Sequence, residues 1–97
     1  MPTNGEKFKI GQTMCTREVD DFMRENDSFR TFVRECLFRH AAGDWGNLCG
    51  EDKQENDRAL LGGSRLISAY KAERLPKIWI VTEADRSATT ILFPKEY

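Results

Sequence analysis

The chain is predicted to be an α+β protein, a three- to four-stranded antiparallel sheet with helices packed on one face, in the order β-α-α-α-β-β-β. Three observations predict it. The middle of the chain repeats apolar residues at helical spacing, most clearly Phe29, Phe32, Val33, Cys36 and Leu37. The last third is rich in β-branched and aromatic residues, as in Ile78-Trp79-Ile80-Val81-Thr82 and Thr89-Thr90-Ile91-Leu92-Phe93. Short connections between those runs favour an antiparallel meander.

The elements follow in order. Residues 1–6 form a polar leader. Phe8, Ile10, Gln12 and Met14 alternate with polar or small residues and suggest a short first strand, bent at Gly11. Thr16 caps a short helix carrying Val19, Phe22 and Met23, which ends near Asn26. Asp27 or Ser28 caps the second helix. Its apolar stripe lies opposite Arg30, Arg34, Glu35 and Arg39, with Glu35 spaced to pair with Arg39, and Gly43 stops it.

A third, polar helix runs over Glu51–Leu61, with acids at its start and Gly62-Gly63 at its end. Its apolar side is thin, and Asn56 stands where a hydrophobe is expected, so it is placed on the rim of the core. Strands are read over 65–70, 77–82 and 89–93, with a hairpin loop over 83–87. Ile78 and Ile80 share one sheet face, Trp79 and Val81 the other. The last strand is a candidate sheet edge, open to self-pairing, so the protein is expected to be a monomer or a homodimer.

Composition narrows the function. Ninety-seven residues, 39% hydrophobic and 32% charged, make one ordinary globular domain over 1–97. A net charge of -1 removes any broad electrostatic grip on nucleic acid. No apolar run has the roughly 20 residues that span a bilayer, and the polar start lacks a secretory core. Three cysteines without close spacing argue against a disulfide framework, so cytoplasmic residence is expected.

Five constellations of residues could carry chemistry or binding. Cys36 and His40, four apart on one helix, could join Cys49 and Cys15 around zinc, although no Cys-x-x-Cys pair is present and Cys36 lies inside the apolar stripe. No cofactor is expected. His40 and Asp44 could act as base and orienter in a small nuclease or hydrolase, assisted by Arg86; otherwise His40 simply closes a helix end. Arg30, Arg34 and Arg39 could make a DNA-binding regulator, but interleaved acids favour a solvated face.

In the hairpin, Asp85 and Ser87 are turn formers, and Arg86 is either solvated or a partner anchor. Trp45, between Asp44 and Gly46, either covers the end of the second helix or is displayed as a binding residue. The reading adopted is a non-enzymatic protein-binding module. In it Trp45 and Arg86 anchor a partner protein on a common exposed patch, and Asp44, Asn56 and Asp85 complete the surface.

The segments RHAAGDWG, EDKQENDRAL, RLISAY and KIWIVTEADRSATTILFPKEY carry a resemblance over Arg39–Tyr97. They resemble small bacterial proteins, of unassigned function, carried on plasmids and other mobile elements. The chain departs from that pattern at Cys49-Gly50, where the relatives favour acids, which weakens the zinc reading further. The resemblance carries no catalytic residues across. It implies an accessory protein of a mobile element, of the kind that binds and blocks a host defence system.

Overall fold

The computed structural model describes residues 6–97; all but the last residue of the expected leader lies outside them. The elements are β1 (Gln12–Cys15), α1 (Arg17–Glu25), α2 (Asp27–Ala41), α3 (Gly50–Gly62), β2 (Leu66–Tyr70), β3 (Ile78–Thr82) and β4 (Ala88–Leu92), followed by a 3-10 turn at Pro94–Glu96. The α+β class and element order are as expected. The sheet, however, is mixed: its order is β1-β4-β3-β2, and β1 runs parallel to β4 while the other pairs are antiparallel.

The first strand is also shorter than its alternation suggested. Gly11 adopts φ +65, and a side chain there would run into the backbone of Arg86 and Ser87. The chain therefore bends at Gly11 against the β3–β4 hairpin, and Phe8 leaves the strand to pack in a satellite core with Trp45, Ala59 and Leu66. Because β1 occupies the flank of β4, the last strand is interior and not an edge. The edges are β1 and β2.

Caps follow side-chain chemistry. Thr16 accepts the Val19 amide at 3.3 Å, as expected. The cap of α2 is Asn26 rather than Asp27 or Ser28: its Oδ1 accepts the Phe29 amide at 2.9 Å, while Asp27 pairs with Arg30. Phe29, Phe32, Val33 and Cys36 are buried, with Leu37 half-buried, and the stripe continues through His40 and Ala41. They meet Tyr70, Ile78, Ile80 and Ile91 on one side of the sheet, with Val19 of α1. Arg39 bonds Asp44 at 2.8 Å instead of Glu35. A left-handed Gly63 ends α3.

Alternation then assigns the other side. Gln12, Met14, Ile67, Ala69, Trp79, Val81, Ala88, Thr90 and Leu92 point away from α1 and α2. The helix α3 stands beside the β2 edge, where Asn56 meets Ile67.

Candidate functional site

Two clusters gather most of the residues singled out in the sequence, and a third lies apart from them. The first is a buried polar chain. His40 is fully buried; Nδ1 lies 2.5 Å from Ser68 Oγ and Nε2 lies 2.8 Å from Thr82 Oγ1. Thr82 Oγ1 is 2.7 Å from Thr89 Oγ1, and Thr89 donates to the Ile10 carbonyl at 2.6 Å. Since each hydroxyl has one proton, the direction is set from the end. Thr89 donates to Ile10, so Thr82 donates to Thr89, His40 Nε2–H donates to Thr82, and Ser68 donates to Nδ1. The neutral imidazole completes this chain, and no described buried side-chain polar atom is left unpaired.

Burial, reinforced by the Arg86 guanidinium, pushes the His40 pKa down to about 4. Ser68, Thr82 and Thr89 are likewise sealed from solvent. The expected pairing with Asp44 does not form, because the Asp44 carboxylate faces Arg39 Nε at 2.8 Å and the Gly46 amide at 3.1 Å. Those contacts, Arg39 foremost, hold Asp44 below the usual carboxylate range. The proposed base has no route to a substrate and no orienting acid. The zinc candidates do not converge either. Among the described residues no group of three His, Cys, Asp or Glu could hold a metal. Cys36 is buried, its thiol raised to about 12 by desolvation, whereas Cys49 is exposed before α3.

The second cluster holds Trp45 and Arg86. They do approach a common residue, Phe8, but Trp45 does so from the core and Arg86 from a half-buried position over the ring. Trp45 is 3% exposed, stacks on Phe8 at 6.2 Å, meets the His40 ring edge at 5.7 Å, and donates Nε1–H to Asp57 at 3.0 Å. The expectation of a displayed indole is corrected: apolar area beside the helix end holds the ring in the core, and Asp57 satisfies its one donor. Arg86, at φ +61 in the hairpin, sits 5.7 Å over Phe8. It donates to the carbonyls of Ala59 (3.0 Å) and Ser64 (2.7 Å), beyond those of its own turn. It therefore ties the hairpin to the C-terminal end of α3, where the negative end of the helix dipole favours a cation. Asp85 accepts the Ser87 amide at 3.0 Å, the turn role weighed for it.

Asn56 has an unexpected task. Its Nδ2 donates to the Ile67 carbonyl at 2.6 Å and its Oδ1 accepts the Ile67 amide at 3.2 Å, so one amide side chain copies a neighbouring strand. The loop after α2 extends this cover. Trp45 O accepts the Ala69 amide, Asn47 N donates to the Ala69 carbonyl, and Asn47 Oδ1 accepts the Lys71 amide. Gly46 is needed for that approach: it has φ +74, and a Cβ would strike the Ala69 carbonyl and the Tyr70 ring. The β2 edge is closed by side chains and loop, which is why a polar residue replaces the expected hydrophobe.

The basic face of α1 and α2 is also neutralised in part: Arg24 pairs with Asp20, Arg30 with Asp27 and Arg39 with Asp44.

The third cluster was missed in the sequence as a site. Within the four strands, the sheet face turned away from α1 and α2 carries no ionisable side chain. Beside it α3 forms one wall of a groove of about 500 Å³, floored by Ile67, Trp79, Ala59 and Tyr97. Tyr97 packs edge-to-face on Trp79 at 5.2 Å and accepts a hydrogen bond from Arg65 at 2.9 Å. Charges sit at the margin: Asp52, Glu55 and Arg58 on α3, Arg65 before β2. The available signal was the alternation of Trp79 and Val81. No protein-family model matches this chain, and no curated protein or solved structure matches it either. Among the described residues no helix is long and apolar enough to cross a membrane.

Proposed function

We propose that the protein is a non-enzymatic binding module for another protein, and that its contact surface is the uncharged sheet face with the groove beside α3. One observation carries this reading. In a chain with 32% charged residues, the outward strand positions are all uncharged, six of them (Gln12, Met14, Ile67, Trp79, Ala88 and Thr90) reach solvent, and the charges gather around them. Apolar area with an ionic margin is the usual composition of a protein-contact patch. The groove accepts an apolar side chain against Trp79 and Tyr97, aromatic types that concentrate at binding hot spots. Arg65 and the acids Asp52 and Glu55 can select the charges flanking that side chain. The anchors expected from the loops, Trp45 and Arg86, support this surface by fixing α3, through Asp57 and the Ala59 carbonyl.

The resemblance to mobile-element proteins supports placing the partner in a host defence system, where such a module acts by occupying a surface and blocking it. The test is affinity capture from the native host with the wild type, Tyr97→Ala and Arg65→Glu as baits. A partner retained by the wild type and lost from both variants, whose unfolding transitions are unchanged, is expected. Retention by both variants would refute the surface. Retention that instead depends on Arg17 and Arg34 would move the interface to the helical side.

A further inference from the structure

The two edges of the sheet are treated in opposite ways. On β2, each outward backbone group of Ile67 and Ala69, and the amide of Lys71, meets a partner from Asn56, Trp45 or Asn47. On β1, Gln12 N donates to the Ser87 carbonyl and Thr16 N to the Ile91 carbonyl, so the even-numbered residues turn their backbone toward β4. The amides and carbonyls of Thr13 and Cys15 therefore point outward. Among the described residues nothing pairs with them. Apart from its shortness, four residues, this edge carries none of the usual protection. Its residues, Gln12-Thr13-Met14-Cys15, include no charge, no proline and no bulge, and Met14 is 42% exposed.

We infer that β1 is a self-association edge, and that its occupant is the β1 strand of a second copy of this chain. A two-fold axis across a strand edge makes the new pair antiparallel, the stronger ladder. The register follows from the two outward residues. With the axis at Met14, Thr13 pairs with Cys15 of the second copy and Cys15 with its Thr13. Each is a hydrogen-bonded pair exchanging two bonds, and together they use all four outward groups of each strand. Met14 then faces Met14 in the intervening non-hydrogen-bonded position, where side chains approach most closely. A one-residue slip would turn unpaired groups to the edge and separate the two methionines.

The occupant must be uncharged, extended and free on one side, and β1 itself has each of these properties. A charged peptide would lose its hydration against Met14 without any opposite charge on β1 to meet it. The pairing joins two sheets into one of eight strands and makes the uncharged outward face continuous across the axis, with Met14 of each copy at the seam. It rests on the edge bonds alone, and it stands whether or not the groove beside α3 binds a partner.

The test combines sedimentation with register-specific crosslinking. The wild type is expected to form a concentration-dependent dimer by millimolar protein. Met14→Glu, which sets two carboxylates face to face on the axis, is expected to stay monomeric at the same concentrations with an unchanged unfolding transition. In a Cys15→Ser, Cys49→Ser background, Met14→Cys should oxidise to a covalent dimer, because the opposed Cα atoms lie about 4.5 Å apart, within disulfide reach. Gln12→Cys, on the same face but away from the axis, should not. A wild type that sediments as a monomer throughout overturns the inference. So does a dimer that persists in Met14→Glu, or one that crosslinks through Gln12→Cys and not Met14→Cys.

Discussion

The sole histidine of the chain should govern stability in mild acid. His40 is sealed between Ser68 and Thr82, and its neutral form is the one that completes the hydroxyl chain. Its pKa falls from 6.5 to about 4 on folding, first through burial and then through Arg86. A base depressed in this way binds protons more readily in the unfolded state. Its stabilising contribution is thus complete above the unfolded pKa and is lost as pH falls through the folded one.

Between about pH 7.5 and pH 5 this linkage removes about 2 kcal/mol, and about 3 kcal/mol by the folded pKa, at 1.36 kcal/mol per pKa unit. The upper part of that window lies above the titration of ordinary carboxylates, so the slope belongs to one residue. Urea unfolding at a series of pH values measures it directly. His40→Leu should start less stable at the upper pH, because Ser68 loses its acceptor and Thr82 its donor, yet its stability should be nearly level down to pH 5. A wild-type curve that is flat over this range would refute the reasoning, as would an equal slope in His40→Leu or an imidazole titrating near 6.5 in the folded protein.

Other expectations concern single contacts. Asn56→Leu should cost about 1–3 kcal/mol, since it strands the amide and carbonyl of Ile67, and should raise aggregation through the opened β2 edge; thermal unfolding and light scattering report the two effects. Gly46→Ala combines a positive φ with collisions at Ala69 and Tyr70, so a loss above about 2 kcal/mol is expected, read as a lowered midpoint in urea. Arg86→Lys keeps the charge but loses the planar fork that reaches Ala59 and Ser64 together. A loss of about 1–2 kcal/mol, with faster hydrogen exchange at the end of α3, should follow, and unchanged exchange there would show that Arg86 does not hold the helix.

The elements themselves were legible because their signals are local. The stripe from Phe29 to Leu37, the Thr16 cap and the β-rich run at Ile78–Thr82 each depend on neighbours within a turn or a strand. Even the shift of the α2 cap from Asp27 to Asn26 is a one-residue matter, since three adjacent side chains compete to accept the same free amide. The uncharged second face was likewise present as the alternation of Trp79 and Val81.

What the sequence determined by itself was the class: periodicity and composition decide which segments become helices or strands and which faces avoid water. Only the tertiary structure decided the direction of β1, the inward fate of Trp45, the tie of Arg86 to α3, and the meaning of Asn56. Each of these turns on a contact between residues far apart in the chain, Gly11 with Ser87, Arg86 with Ala59, Asn56 with Ile67. Local propensity is silent there, because a tryptophan or asparagine suits an exposed patch and a satisfied interior equally well until a specific acceptor is brought within hydrogen-bond reach.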